Sequence, residues 1–250
     1  DHALGVVTLG RQYSYLDDIV GNGDALGNSF TGGSGNLVFY QDRIDNSISY
    51  TTSTYAGLSA GVMYGFGEQA GSRAKASYSG AMLAYTNDDF YAQLGYGKGN
   101  LETNEALDVK DLSQYALGLS YDFKVVKLFG LVSVAKFSPK ASISSNPSGS
   151  SVIIDNRYDN KVKVALIGAS VPFGANTVMF SVGEAKIDDK DPSAGSGNSS
   201  AKQIALAYTY AVSKRTDLYA SYAYIKNDKY ENFSTISGNQ GLAVGIRHNF

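Results

Sequence analysis

The sequence predicts an all-β protein, and within that class an antiparallel transmembrane β-barrel. Three observations predict it: bulky residues alternate with small or polar ones, the alternating stretches are long, and the connectors between them alternate in length. Period-two alternation is typical of a strand with two unlike faces, and no stretch shows sustained helical spacing. A transmembrane helix is excluded because no stretch approaches about 18 uninterrupted apolar residues.

The alternation is clearest in three stretches. In 203–212, bulky side chains occupy the even positions, and Gln, Ala and Thr occupy the odd ones. Bulky side chains occupy the odd positions of 114–123 and most of the even positions of 241–250. Each stretch is therefore predicted to be a strand with one bulky and one small or polar face.

The same pattern predicts twelve strands in this chain. They cover 5–14, 45–55, 58–67, 76–86, 90–100, 112–122, 128–138, 159–171, 176–186, 201–212, 217–227 and 240–250. Most run ten or more residues, whereas strands of soluble proteins usually have about five or six. About ten residues is the length that a tilted strand needs to cross a bilayer.

The composition of the two faces favours a membrane barrel over a soluble one. The faces opposite the bulky residues are rich in Gly, Ala, Ser, Thr and Gln and include charges such as Lys161 and Lys163. A wide barrel with lipid outside and water inside has this pattern, and tyrosines near strand ends suit its interfacial girdles. The alternative is a soluble all-β protein whose polar face meets water.

The connectors indicate how the strands are arranged. The short connectors are 56–57, 87–89, 123–127, 172–175 and 213–216. The long and polar connectors are 15–44, 68–75, 101–111, 139–158, 187–200 and 228–239. An up-and-down barrel with short periplasmic turns and long outer loops has this asymmetry, with both chain ends on the short-turn side. We find no linker, so residues 1–250 are predicted to form a single domain.

Composition argues against several other classes of protein. The chain has no cysteine, which excludes a disulfide scaffold and a thiolate metal site. Its formal net charge of −2, without a long basic run, makes nucleic acid a poor partner. The two histidines, His2 and His248, lie at the chain ends, whereas nucleophilic triads need a histidine within the fold. We therefore expect no enzymatic activity, no cofactor and no metal.

Four segments resemble a known family. They are VVTLGRQYS (6–14), DRIDNSISYTTSTYAGLSAGVMYGFGE (42–68), VSKRTDLYASYAYIKN (212–227) and GLAVGIRHNF (241–250). The chain resembles the general diffusion porins of Gram-negative outer membranes, most of all the trimeric β-proteobacterial type. The resemblance implies an outer-membrane channel for passive diffusion of small hydrophilic solutes and ions. It also implies a homotrimer in contact with outer-membrane lipid, lipopolysaccharide and the outer-membrane assembly machinery.

The chain departs from the family pattern at its N-terminal side. The resemblance implies a sixteen-strand barrel, four strands of which precede the segment similar to 6–14. We expect those strands, about 80–100 residues at about ten residues per strand plus connectors, to be missing here. The alternative is a real twelve-strand barrel in which 240–250 pairs with 5–14.

The resemblance identifies 15–44 as the third loop, which folds into the lumen and narrows the pore. Thirty residues between strands is also long enough to suggest a functional loop. The expected constriction sets loop acids against wall bases: Arg43, Asp17, Asp18, Asp24, Asp42 and Arg11. Such a transverse field would orient polar solutes and bias ion choice, with a lean towards anions implied by the family.

Other roles for these residues remain open. Asp17 and Asp18 could cap a short helix, Asp45 could pair with Arg43, and Arg11 could brace the base of the loop. A further set of lysines could attract anions to the vestibule or be solvated rim charges: Lys75, Lys136, Lys161, Lys163, Lys186 and Lys226.

The last strand is expected to carry an assembly signal. Alternating apolar residues that end in a C-terminal Phe form, by resemblance, a recognition signal for the assembly machinery. The residues concerned are Phe250, Ile246 and Val244. A rival function for the whole chain is a structural or adhesive outer-membrane barrel that acts through its surface loops.

Overall fold

The structure, a computed structural model, describes residues 4–27, 29–67, 76–100, 111–137, 141–143, 154–156, 160–188, 199–228 and 239–250. The strands are β1 (Val6–Tyr13), β2 (Arg43–Thr51), β3 (Leu58–Gly65), β4 (Tyr78–Thr86), β5 (Phe90–Asn100), β6 (Asp111–Asp122), β7 (Lys127–Phe137), β8 (Ala141–Ile143), β9 (Ile154–Asn156), β10 (Asn160–Phe173), β11 (Asn176–Asp188), β12 (Ser199–Ser213), β13 (Thr216–Asn227) and β14 (Gln240–His248). The helix α1 (Tyr15–Asn22) and a short 3-10 helix (Ser34–Asn36) lie between β1 and β2.

Twelve of the strands form one antiparallel sheet in which neighbours in sequence are neighbours in space. The exception is the pair β8–β9, which forms a separate two-stranded sheet while β7 pairs with β10. Among the described strands, β1 and β14 each have a single neighbour, so the sheet is not closed on itself. The up-and-down order confirms the all-β, antiparallel barrel-type architecture predicted from the sequence.

All twelve predicted strands have a counterpart in this sheet, although their ends differ by a few residues. The largest difference is in β2, which starts and ends earlier than predicted. It ends early because Tyr55 already bridges to Leu58 across a tight turn. Ala56 and Gly57 have φ of 49° and 85° there, which is the left-handed geometry that the twist of a tight hairpin requires.

The predicted long connectors are only partly covered by the described residues. Residues 68–75, 101–110, 138–140, 144–153, 157–159, 189–198 and 229–238, and with them Lys75, lie outside them. Within 139–158, the sequence did not predict the small β8–β9 hairpin. None of the helices in the described ranges is long and apolar enough to cross a membrane.

The two faces of the sheet differ as the alternation predicts. On β12, the bulky side chains from Ile204 to Val212 are 40–57% exposed, whereas Gln203, Ala205 and Ala207 are at most 3% exposed. We call the bulky, exposed side the outward face and the other the inner face. Apolar side chains open to the surroundings along whole strands are what a lipid environment requires.

The inner face carries an apolar core that the sequence did not predict. The segment between β1 and β2 folds back over this face, and its apolar side chains are buried against it. The core includes Leu16, Ile19, Val20, Leu37, Val38, Phe39 and Tyr40 from the segment, and Leu112, Leu131, Val162, Val164 and Leu166 from the strands. Burial of these residues stabilises the folded position of the segment by the hydrophobic effect.

The expectation that Lys161 and Lys163 face the lumen is wrong. They alternate with Val162 and Val164, which are buried beneath the 15–44 segment. Because successive residues of a strand point to opposite faces, the two lysines lie on the outward face. The inner positions of β10 are apolar because the 15–44 segment packs on them, and alternation alone does not reveal that packing.

Candidate functional site

The 15–44 segment is closed at its base where it leaves and rejoins the sheet. The Ser14 amide donates to the carbonyl of Asp42 at 2.8 Å, and the Ser14 hydroxyl donates to the carbonyl of Gln41 at 2.5 Å. Both bonds join the end of β1 to the start of β2. The segment is therefore a loop with a fixed neck, and its buried apolar residues lie over the inner face.

The first turn of α1 explains two of the predicted acids. Ser14 is the N-cap, and its hydroxyl accepts from the Asp17 amide at 3.3 Å. Asp17 and Asp18 lie in the first turn, where the helix dipole stabilises negative charge. Ser14 performs the side-chain capping, so the two acids keep their carboxylates for other contacts.

The apolar side of α1 rests on a stripe of wall glycines. A Cβ atom at Gly95 would stand 2.4 Å from Ile19 Cδ1, and one at Gly118 would stand 2.8 Å from the carbonyl oxygen of Ile19. These short distances leave no room for a side chain at either glycine. These two positions on β5 and β6 let the helix approach the backbone of the wall, so the small inner residues are a seat for the loop.

Three glutamines of the wall hold the loop by its backbone. They donate to loop carbonyl groups: Gln93 to that of Tyr15 at 3.4 Å, Gln114 to that of Phe39 at 3.3 Å and Gln203 to that of Gly32 at 2.7 Å. All three glutamines are buried, and a buried carbonyl without a partner is costly. The wall therefore provides hydrogen-bond donors for three separate carbonyl groups of the loop.

Tyr15 makes a further anchor at the start of the loop. Its hydroxyl lies 3.1 Å from the carbonyl oxygen of Tyr50, 3.0 Å from Thr51 Oγ1 and 3.3 Å from the carbonyl oxygen of Val62. Sequence reasoning missed this residue and the three glutamines. The available signal was a long amide side chain at an inward position where neighbouring strands carry Gly, Ala or Ser.

Asp24 is placed differently from the other predicted acids. It is 2% exposed, and its carboxylate accepts from the amides of Leu26 at 3.2 Å and Ser34 at 2.7 Å. Burial raises the pKa of Asp24 to about 6, against the lowering effect of these backbone bonds. Asp24 therefore joins two stretches of the loop and does not face the solvent beside it.

Asp17, Asp18 and Asp42 form an acidic group near the neck. The Tyr40 hydroxyl donates to Asp17 Oδ1 at 3.0 Å. Burial raises the pKa of Asp17, and the nearby charge of Asp42 adds to the rise, whereas the Tyr40 bond and the charge of Arg43 oppose it. Burial also raises the pKa of Asp18, together with the charge of Asp17. The structure thus brings three of the four predicted acids together.

The two predicted arginines occupy the neighbouring strands. Arg11 Nε lies 2.9 Å from Asp45 Oδ1, so Asp45 pairs with Arg11 and not with Arg43. The Arg43 guanidinium stands 5.0 Å from the centroid of the Tyr13 ring. Within the described ranges, no carboxylate oxygen lies within 4 Å of the Arg43 guanidinium. The charge of Arg43 is therefore not cancelled by a direct ion pair there.

The predicted assembly-signal residues lie on the outward side of the last strand. Val244 and Ile246 are exposed on β14, and Phe250 follows its end. The ring of Phe250 packs edge-on against His248, with centroids 4.9 Å apart. The three apolar side chains are thus exposed along and just beyond a strand that, among the described strands, pairs only with β13.

A comparison with known families decides the assignment. The sequence model of the Gram-negative porin family matches residues 1–230. The chain belongs to the Gram-negative porin family. As a porin-family chain it is an outer-membrane protein, and the apolar outward face and long antiparallel strands fit that location.

Individual relatives agree with this assignment. The outer membrane porin protein 32 of Delftia acidovorans is 32% identical over 231 residues, which cover 83% of this chain and 57% of that protein. An outer membrane porin of Bordetella pertussis is 28% identical over 273 residues, which cover 98% of this chain and 69% of that protein.

A solved structure shows the same fold. The anion-selective porin from Comamonas acidovorans superposes with a TM-score of 0.74 at 26% identity, covering 100% of this chain and 76% of that one. The porin-family chain described here spans 57% of the length of its Delftia relative and 69% of that of its Bordetella relative.

Proposed function

We propose that the protein forms a water-filled channel that lets small hydrophilic solutes and ions cross the outer membrane by passive diffusion. The observation that carries the proposal is the 15–44 segment, which is fixed over the inner face of a sheet whose outward face is apolar. Such a segment narrows the space inside the barrel and leaves the lipid-facing surface uncovered. No energy source or cofactor is required for diffusion through it.

We assign the narrow part of the channel to the region around the loop neck. Asp17, Asp18 and Asp42 supply negative charge there, and Arg43 supplies a positive charge that no described carboxylate pairs with. Arg11 contributes through its pair with Asp45, and Asp24 contributes by holding the loop together. Charged groups that line a narrow aqueous path select ions by sign.

Anion preference is the selectivity that the comparisons favour for this proposal. The Comamonas relative of similar fold is named an anion-selective porin. In the present chain, the acidic group at the neck acts against anion preference, so the balance depends on bases of the wall. This balance can be tested directly by substitution.

We further propose a closed barrel that assembles as a homotrimer. Among the described strands, the outer edges of β1 and β14 have no neighbour to satisfy their backbone groups, which lipid does not tolerate. Additional strands of the same barrel would satisfy both edges, and the Delftia and Bordetella relatives are longer than the part that this chain matches. The exposed apolar residues Val244, Ile246 and Phe250 would be read by the outer-membrane assembly machinery before the barrel closes.

Planar-bilayer recording tests the channel. The full-length protein, purified from outer membranes, is added to a bilayer of diphytanoyl phosphatidylcholine in potassium chloride. Step-like conductance increases of uniform size are expected, with three substeps for a trimer. Correctly folded protein that inserts without any conductance would contradict the proposal and would favour a structural or adhesive barrel.

A further inference from the structure

Bases are scarce at the inner positions of strands β5 to β14. Among the described residues of these strands, the lysines and arginines lie on the outward face, apart from Lys127 and Arg247. Arg247 Nε lies 2.9 Å from Asp217 Oδ2, so its charge is offset by a direct ion pair. Any attraction of anions by the inner face of the described strands β5 to β14 therefore depends on Lys127.

Alternation along β7 fixes the face on which Lys127 lies. Leu131 and Ala135 are at most 2% exposed and belong to the core under the loop. Leu128 and Val132 are 45% and 49% exposed. Because successive residues of a strand point to opposite faces, Lys127 shares the inner face with the two buried residues. It is the first residue of β7, directly after a short connector.

Lys127 lies on the short-turn side of the place where the loop meets the wall. A Cβ atom at Gly168 would stand 2.9 Å from the Cβ atom of Ala25 in the loop, and Gly168 is directly opposite Phe129. Lys127 is two residues closer to the short turn than Phe129, which is about 7 Å at about 3.3 Å per residue. The short turns are on the periplasmic side of such a barrel, so Lys127 lies at the periplasmic mouth of the proposed lumen.

An aromatic ring holds the ammonium group of Lys127 on the inner face. Lys127 Nζ stands 5.2 Å from the centroid of the Phe129 ring, within the range of a cation–π contact. The residues directly opposite Phe129 are Ser120 and Gly168, and their small size leaves room for the ring. The contact positions the charge of Lys127 without neutralising it.

The acids of the adjoining short turns have other partners. Asp122 is directly opposite Lys127, but its Oδ1 accepts from the Lys124 amide at 2.6 Å. Asp89 pairs with the Lys124 ammonium group. Among the residues that the structure describes, no carboxylate oxygen lies within 4 Å of Lys127 Nζ. The charge of Lys127 is therefore weakened by Asp122 at a distance but not cancelled in an ion pair.

We propose that Lys127 is a specificity-determining residue of the channel, which attracts small anions to the periplasmic side of the constriction, and that Phe129 positions its ammonium group. The assignment rests on the channel proposed above. Fixed charge at the mouth of an aqueous path raises the local concentration of counter-ions. The acidic group at the loop neck acts against anions, and a base farther along the path offsets part of that effect.

A cysteine at position 127 tests the assignment in channels that are already folded. Residues 1–250 contain no cysteine, so Lys127→Cys introduces the one reactive thiol of this part of the protein. The full-length variant is inserted into diphytanoyl phosphatidylcholine bilayers, and the reversal potential across a potassium chloride gradient gives the chloride-to-potassium permeability ratio. The same channels are measured before and after reaction with a cationic trimethylammonium-ethyl or an anionic sulfonatoethyl methanethiosulfonate.

Lys127→Cys is expected to lower the chloride-to-potassium ratio about twofold at about 0.1 M salt, since a unit charge acts on ions across several ångströms of water. The cationic reagent should restore the ratio of the unmodified protein, and the anionic reagent should lower it about twofold further. Both effects should shrink at about 1 M salt, where the Debye length falls from about 10 Å to about 3 Å.

Lys136→Cys is the matched control. Lys136 is on the same strand and also stands beside an aromatic ring, 5.5 Å from the centroid of Tyr115. It follows the buried Ala135 and lies on the outward face. Its substitution and both reagents should therefore leave the permeability ratio unchanged.

Two substitutions test the positioning role of Phe129. Phe129→Leu should lower the ratio in the same direction as Lys127→Cys, because the ammonium group is then able to turn towards the carboxylate of Asp122. Phe129→Tyr keeps a ring face for the cation and should keep the ratio of the unmodified protein. A ring that only fills space would not link the ratio to its aromatic character.

An unchanged ratio in Lys127→Cys at about 0.1 M salt, or equal responses of Lys127→Cys and Lys136→Cys to the reagents, would overturn the assignment. Equal ratios in Phe129→Leu and Phe129→Tyr would overturn the positioning role. If Lys127→Cys does not insert, Lys127→Gln gives the same comparison without the reagents. Absence of conductance in the unmodified protein would instead contradict the channel itself, so the two failures are distinguishable.

Discussion

Asp24 is the carboxylate of the 15–44 segment whose charge is most affected by burial. Its pKa of about 6 lies above the ordinary value of 3.8, so the folded loop holds a proton more tightly than the unfolded chain. Stability from this group is fully present below pH 3.8 and is lost as pH rises through about 6. The difference corresponds to about 3 kcal/mol at most.

The Asp24→Asn substitution removes this titration. We expect the thermal stability of the unmodified protein to fall between about pH 4 and pH 6.5 by more than that of the variant. Circular dichroism melts at several pH values measure the difference between the two proteins. Asp88→Asn, at an exposed turn, is the matched control and should keep the unmodified slope. Identical slopes in all three proteins would show that Asp24 is not buried in this way.

The α1 helix depends on its seat in the wall as much as on its own sequence. Ile19 occupies the space beside Gly95 that a side chain would need, with 2.4 Å to the position of a Cβ atom. Helical propensity alone does not hold an eight-residue helix in water. The position of the helix, and with it that of Asp17 and Asp18, is therefore set by packing against β5 and β6.

Gly95→Val should displace α1 from the wall while leaving the strands paired. We expect faster cleavage within 15–44 by a protease, by about tenfold or more, because an overpacked contact costs about 1–3 kcal/mol. The rate of loop cleavage is followed by gel electrophoresis, with strand content checked by circular dichroism. Gly130→Val is the control, because a Cβ atom there would have nothing within 4 Å. An unchanged cleavage rate in Gly95→Val would contradict the close packing of α1 on β5 at Gly95.

The strands were predictable from the sequence because alternation is a local property. The sequence did not show which side of β10 faces inwards. Its inner positions carry Val162 and Val164 because the 15–44 segment, distant in sequence, packs on them. The role of Gln203 depends on the same long-range packing. In the sequence it is an ordinary polar residue of the wall, and only the fold places its side-chain amide 2.7 Å from the carbonyl oxygen of Gly32. Asp24 illustrates the reverse case. An acidic residue in a loop is expected to face solvent, but the carboxylate of Asp24 is buried and accepts hydrogen bonds from two loop amides.

At the scale of the whole molecule, charge is separated between two surfaces. The acidic group at the loop neck lies on the inner side, whereas Lys136, Lys161, Lys163 and Lys186 lie on the outward face. The formal net charge of −2 conceals this separation. Permeating ions would meet the inner charges and not the outer ones, so the two sets can be changed independently.

The combined substitution Asp17→Asn, Asp18→Asn and Asp42→Asn tests the inner set. A unit charge about 4 Å from an ion in water contributes about 1 kcal/mol, so removing the acids should raise the permeability of chloride relative to potassium about fivefold. The reversal potential across a salt gradient in planar bilayers measures this ratio. Substituting Lys161, Lys163 and Lys186 with Gln should leave the ratio unchanged, because these side chains lie on the outward face. An unaltered reversal potential in the acid variant, with normal conductance, would place the constriction away from the loop neck.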